Sequence, residues 1–192
     1  MTIQPLGFSI GDWTPPIRPP AEPMIGQYCR LERLDPERDG RSLFDAYALD
    51  TKGRNWTYLP QGPFENYPDF LNWLSAMAKL DDPFFFTIID AASQTGVGVA
   101  SYLRITPPAG SIEVGHIHYS PLLQRKPAAT EAMYLMMKQA LNSAIGATSG
   151  NAMRSIPHPG SRLRDWVCLM KASSVRPQST NNATVTRPGM LP

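Results

Sequence analysis

Cysteine is nearly absent: the 192-residue chain holds two, Cys29 and Cys168. Two thiols cannot build the disulfide framework of a small secreted fold or a structural zinc centre, so no metal site is expected. A surplus of one charge is missing as well. Lys and Arg number 18 against 16 Asp and Glu, a formal net of +2, which argues against a general nucleic-acid or membrane-surface binder. Long apolar runs are lacking, so no segment reads as spanning a bilayer. The N-terminus has no basic stretch followed by an apolar one, so no secretory signal is read there and a cytoplasmic location is expected. What is present, 42% hydrophobic residues, suffices for one domain with a real core but not for two full ones.

The charge balance is uneven along the chain. Residues 1–141 carry 12 basic and 15 acidic side chains, whereas residues 142–192 carry six basic and one acidic. Three regions follow. Residues 1–23 hold six prolines and read as an extended arm, with Phe8, Ile10, Trp13 and Ile17 available to lie along a groove. Residues 24–141 carry the periodic patterns of a folded core. Residues 142–192 are rich in Ser, Thr, Asn, Arg, Pro and Gly and read as an irregular basic tail.

Within the core, alternation predicts a strand near 28–34, inside Gly26–Leu34. Asp35 followed by Pro36 is a helix start, and Leu43, Phe44, Tyr47 and Ala48 continue at helical spacing to about 49. Asp50–Pro63 reads as a loop holding Trp56 and Tyr58. A second helix runs from Pro68 to Leu80 and stops at Asp81-Asp82-Pro83. Strands follow near 83–90, 96–106 and 111–119, with turns between them, and a helix rich in Ala, Met and Leu spans Pro127–Leu141. The expected class is mixed α/β, a mostly antiparallel sheet flanked by helices.

The stretch that carries chemistry is Ser120–Thr130, SPLLQRKPAAT, between the last strand and this helix. A helix start offers unpaired N–H groups to an anion. Ala128 and Ala129 let a ligand approach the backbone, Pro127 suits the first turn, and Arg125 and Lys126 add positive charge.

Placed in this order of elements, the segment Gly26–Leu141 resembles the GNAT superfamily of acetyl-CoA-dependent N-acyltransferases. Within it the branch of ribosomal-protein N-terminal acetyltransferases (RimJ/RimL-like) is the most similar. The resemblance is carried by LDPERD (34–39), NWTYLPQGPF (55–64), DDPFFFTIID (81–90), GVASYLRI (98–105) and EVGHIHYSPLLQ (113–124). Gln124-Arg125-Lys126-Pro127-Ala128-Ala129 stands where the family has its Q/R-x-x-G-x-G/A pyrophosphate loop, with Pro127 replacing the first Gly. The resemblance implies that acetyl-CoA is held by Gln124, Arg125, Lys126, Pro127, Ala128, Ala129 and Thr130. Its pantetheine arm would pair with the backbone of Ile117, His118 and Tyr119. Acyl transfer to an amine needs a base for the ammonium proton, and Glu113, His116 and His118 are the candidates. Alternation alone puts His116 and His118 on one face and Glu113 on the other unless a bulge intervenes, so the choice stays open. Trp56 and Tyr58 are candidates for the substrate side. The implied acceptor is an amine on a small molecule or a protein N-terminus.

The resemblance stops near Leu141. If each later codon is read as the last base of its predecessor plus its own first two, several outcomes are forced. Trp166 becomes Leu, Val167 becomes Gly and Lys171 becomes Glu. Asp165 can become Arg and Met170 can become Tyr, which spells the R-L-G-x-x-Y-E-G of this branch. The tail is therefore expected to be out of frame and the acyl-CoA N-acyltransferase fold incomplete, with the chain an impaired acetyltransferase. The alternatives are a non-catalytic acyl-CoA-binding remnant and a basic-tailed interaction protein.

Overall fold

The computed structural model describes residues 14–145. Five strands make one sheet in the order β1-β2-β3-β4-β5, every neighbour antiparallel. They are β1 (Met24–Ile25), β2 (Cys29–Arg33), β3 (Phe84–Asp90), β4 (Gly96–Thr106) and β5 (Ser111–Tyr119). Helices α1 (Pro36–Ala48) and α2 (Tyr67–Ala78) are inserted between β2 and β3, and α3 (Pro127–Ile145) follows β5. The expected mixed α/β architecture is what the chain adopts.

Two apolar clusters explain the layering. On one face α3 brings Ala132 and Met136 against Leu31, Phe86, Ile88, Ala100 and Tyr102. On the other, α1 and α2 bring Leu43, Tyr47, Phe70 and Leu74 against Phe85 and Val99. Neighbouring residues of a strand point to opposite faces. Because both faces of β3 are covered, its middle residues 85–89 are all buried, and FFFTIID reads as a continuous apolar run.

The helix starts follow their local signals. The Asp35 carboxylate accepts from the amides of Glu37 (3.0 Å) and Arg38 (3.3 Å), with Pro36 in the first turn. Asn66 does the same for α2 through the Asp69 amide (3.0 Å). Asp39, 2% exposed, ties α1 to the sheet: it accepts from the Thr87 hydroxyl (2.5 Å) and from the Arg38 guanidinium (2.6 Å).

Four readings need adjustment. The strand expected within Gly26–Leu34 is β2, Cys29–Arg33, shortened because 26–28 turn back to β1, a strand the sequence did not predict. The loop 50–63 contains a short 3-10 turn, Arg54–Trp56. A 3-10 turn also links β4 to β5 at Pro107–Ala109. Residues 142–145 continue α3, so irregular structure does not begin at 142. The expectations for 146–192 and for Phe8, Ile10 and Trp13 lie outside the described residues, while Ile17 is 72% exposed. Among the described residues no helix is long and apolar enough to cross a membrane, and no cluster of three or more His, Cys, Asp or Glu could hold a metal.

Candidate active site

The site is set by an irregularity in β5. Ser101 pairs with Gly115 and Val99 pairs with His118, so His116 and Ile117 together oppose the single residue Ala100. This is a β-bulge, and His116 takes a left-handed backbone (φ 46°). Such a φ is unusual for a side chain other than Gly or Asn, and it is held here by neighbours. The bulge overturns simple alternation. Glu113, Gly115 and His118 now share the face of Leu103, Ser101 and Val99, rather than Glu113 facing away from the histidines.

Ser101 pins the bulge from the neighbouring strand. It is fully buried, its hydroxyl donates to the Gly115 carbonyl (3.1 Å), and His116 Nδ1 lies 3.2 Å from the same oxygen. A hydroxyl has one proton, and a carbonyl can only accept. With that proton on Gly115, Ser101 Oγ can only accept from His116, so Nδ1 carries the ring proton. In the neutral ring Nε2 then holds the lone pair.

His118 is built differently. It is 2% exposed, stacked on Tyr47 (centroids 3.8 Å apart, planes 5° apart) and met edge-on by Trp56 at 4.1 Å. The Tyr47 hydroxyl donates to the His118 carbonyl (3.1 Å). Both of its ring nitrogens lack a partner. Burial pushes its pKa down to about 4, against a smaller upward pull from Asp50, so the ring is neutral at pH 7 and a weak proton acceptor.

This produces a stability prediction. A histidine held neutral in the fold but protonated in the unfolded chain below about pH 6.5 makes stability rise with pH between 4 and 6.5. Stability is therefore lost as pH falls through that window, by roughly 3 kcal/mol in all. Urea midpoints at pH 7.5 and 4.5 test it. His118→Phe keeps a ring against Tyr47 and is expected to flatten the dependence; an unchanged slope in that variant would assign the loss to other groups.

His116 and His118 both line a cavity of about 210 Å³ between the sheet and α2. Its walls include Leu59, Trp73, Met77, Phe85 and Val99. Glu113 stands away from it: the side chain is 53% exposed and pairs with Arg104 (3.0 Å). Of the two substrate-side candidates, Trp56 is buried against His118, whereas Tyr58 is 97% exposed and reaches nothing in the cavity. Gly62 makes room for Trp56. It has φ 90°, and a Cβ there would come within 2.2 Å of the indole.

Past the end of β5 lies the loop to α3. Arg125 adopts φ 60°, and Arg125, Lys126 and Thr130 are exposed. Ala128 is buried. Pro127 has no amide proton and the Ala129 amide donates to the Lys126 carbonyl (3.1 Å), which leaves Ala128 as the first-turn donor. Gln124 is used as a brace, its side-chain amide donating to Asn55 Oδ1 (2.8 Å) and to the Tyr119 carbonyl (2.9 Å). Ile117, 42% exposed, sits on the outer edge of β5, while Tyr119 turns its hydroxyl to the Ala129 carbonyl (3.3 Å).

The sequence reading missed Tyr47, Ser101, Trp73 and Glu131. The first and third read as core positions of amphipathic helices. Ser101 gave one signal, a hydroxyl in an otherwise apolar strand. Glu131, 4% exposed, accepts from the amides of Gln27 (2.8 Å), Tyr28 (2.6 Å) and Cys29 (2.9 Å).

No protein-family model and no curated protein matches the chain. Solved structures do. A GCN5-related N-acetyltransferase from Brucella melitensis is 38% identical, covering 69% of this chain and 60% of its own, with a TM-score of 0.67. A GNAT-family protein from Chromobacterium violaceum ATCC 12472 is 31% identical, covering 74% of this chain and 71% of its own, with a TM-score of 0.66. A GNAT-family acetyltransferase from Bacillus anthracis, 17% identical with a TM-score of 0.51, shares the fold. The chain thus spans 60% of the Brucella protein's length and 71% of the Chromobacterium protein's. On that identity and coverage, joined to the bulged fifth strand and the helix start beyond it, the chain belongs to the GNAT family of N-acetyltransferases.

Proposed function

We propose that the site is built to transfer an acetyl group from acetyl-CoA to a primary amine, and that His116 receives the amine's proton. The observation that carries this is the Ser101–His116 pair. With the Ser101 proton on the Gly115 carbonyl, it favours the tautomer that leaves Nε2 free on a ring lining the cavity, which is what a general base requires. His118, neutral and walled in by Tyr47 and Trp56, is read as shaping the cavity. Glu113, occupied by Arg104, is given no role in proton transfer.

The residues present fit the coenzyme at the start of α3. Arg125 and Lys126 make no ion pair among the described residues, and the first-turn amide of Ala128 favours an anion. The exposed edge at Ile117 suits an extended amide-bearing arm. When bound, acetyl-CoA supplies the activated acyl group. Pro127 and the engaged Ala129 amide leave fewer donors than the family loop has, and Gln124 braces the loop from behind. These two features favour a second reading, a non-catalytic acyl-CoA-binding remnant.

Within the family, the blocks LDPERD and NWTYLPQGPF support the branch of ribosomal-protein N-terminal acetyltransferases, with a small amine or a protein N-terminus as acceptor. The codon arithmetic supports an out-of-frame tail and hence impaired turnover. Reading the gene's other frame tests that part: stops or unrelated residues there would end it. The cradle has its own test. In an Arg125→Glu, Lys126→Glu double variant, coenzyme A affinity measured by calorimetry is expected to fall about tenfold or more, since two attractions to phosphate become repulsions. Unchanged affinity would place the cradle elsewhere.

A further inference from the structure

We infer that the acceptor amine carries an uncharged apolar group of about one ring in size, seated in the cavity beside His116, and that di- and polyamines are excluded. The inference rests on the acyl-transfer reading for the word acceptor, but its evidence is the cavity itself. The walls from Leu59, Trp73, Met77, Leu80, Phe85 and Val99 are apolar, and no Asp or Glu lines the space. Its volume of about 210 Å³ compares with the roughly 150 Å³ that houses a benzene molecule in a protein core. One ring with a short alkyl link therefore fills it.

Charge decides the rest. A second ammonium placed in this space would lose its hydration and meet no counter-charge, which is strongly unfavourable. The polar groups at the wall supply no negative charge: Trp73 Nε1 is a donor, the His118 ring is neutral, Gln61 offers an uncharged amide, and His116 is the group assigned to the reacting amine. The carboxylate acting on His118 is Asp50, which accepts from the Asn55 amide (2.7 Å) and does not line the cavity. An apolar group meets no such penalty, and it gains contact with Phe85, Trp73 and Met77.

The test is calorimetric titration of the full chain, without acetyl-CoA, with 2-phenylethylamine and with 1,4-diaminobutane. Phenylethylamine is expected to bind saturably and at least about tenfold more tightly. Met77 is half-buried on α2, so Met77→Glu can place a carboxylate at the wall, with circular dichroism confirming the fold. That variant is expected to narrow or reverse the preference. Tighter or equal binding of the diamine, binding of neither, or an unchanged preference in Met77→Glu would overturn the inference. Phenylethylamine bound but never acetylated, even in a frame-restored chain, would overturn the acyl-transfer reading and leave this one standing. A diamine acetylated in preference would do the reverse.

Discussion

Thiol release from acetyl-CoA in the presence of a primary amine is expected to stay near background with this chain. It is expected to rise about a hundredfold or more in a version whose sequence after residue 141 follows the alternative frame. On the proposed reading, the described part of the molecule supplies two elements of the reaction. One is the cation-flanked start of α3, and the other is His116 with its Nε2 lone pair beside the cavity. Binding the phosphates accelerates nothing unless the same binding also sets the acyl carbon against the amine. That requires walls on both sides of the β5 edge. Among the described residues β5 ends the sheet, with no strand on its outer side, and on the proposed out-of-frame reading the family pattern that would follow lies in the shifted frame. Misplacement by an ångström costs about a hundredfold, so a missing wall costs at least that. Phenylethylamine and a short peptide with an apolar first residue are the acceptors to use, with both proteins at matched concentration. Equal rates would show that the tail is no impairment.

What could be read in the residues, and what could not, divides along a physical line. Local signals were legible. Asp35-Pro36 and the apolar spacing of Leu43, Phe44 and Tyr47 define α1, and the doubly buried β3 shows as FFFTIID. The helix start at Pro127 was visible for the same reason. Features fixed by partners far along the chain were not. Gly115 lies beside the bulge at His116–Ile117, but the left-handed backbone falls on His116 and not on the glycine. The bulge is held by Ser101, 15 residues earlier on β4, and alternation that leaves the bulge out assigns Glu113 to the wrong face. Trp56 and Tyr58 look alike in sequence, yet the 3-10 turn over Arg54–Trp56 sends one indole under His118 and leaves the phenol in solvent. Tyr47 reads as a core residue of α1, and it is one. Its stacking on His118, and the hydroxyl it donates to the same residue's carbonyl, depend on where β5 lies.

Glu131 gives the largest expected loss of stability. Replacing it by Leu is expected to cost about 3–5 kcal/mol, near the upper end for a single substitution. The carboxylate lies in α3 beneath the β1–β2 turn and gathers three backbone amides, those of Gln27, Tyr28 and Cys29, from about a hundred residues away. A buried ion pair can often be exchanged for apolar side chains at little cost, because both partners are removed together. Here the partners are main-chain N–H groups, which no substitution at 131 removes. Each one left without an acceptor costs about 1–3 kcal/mol, and a buried Leu returns only about 1.5–3 kcal/mol of that total. Gly26 shows how closely the parts fit, since a Cβ there would lie 2.4 Å from the Glu131 carboxyl carbon. Glu131→Gln separates charge from hydrogen bonding. Its oxygen can keep the Tyr28 and Cys29 amides that Oε2 now serves, while its NH₂ group faces the Gln27 amide donor to donor. The expected order of urea-derived stabilities is wild type, then Gln, then Leu. The turn that Glu131 holds rests on the first turn of α3, where the Cys29 thiol meets the Ala128 carbonyl (3.4 Å), so coenzyme A affinity is expected to fall in the same order. A Leu variant within about 1 kcal/mol of wild type would mean that the turn finds other acceptors when the carboxylate is gone.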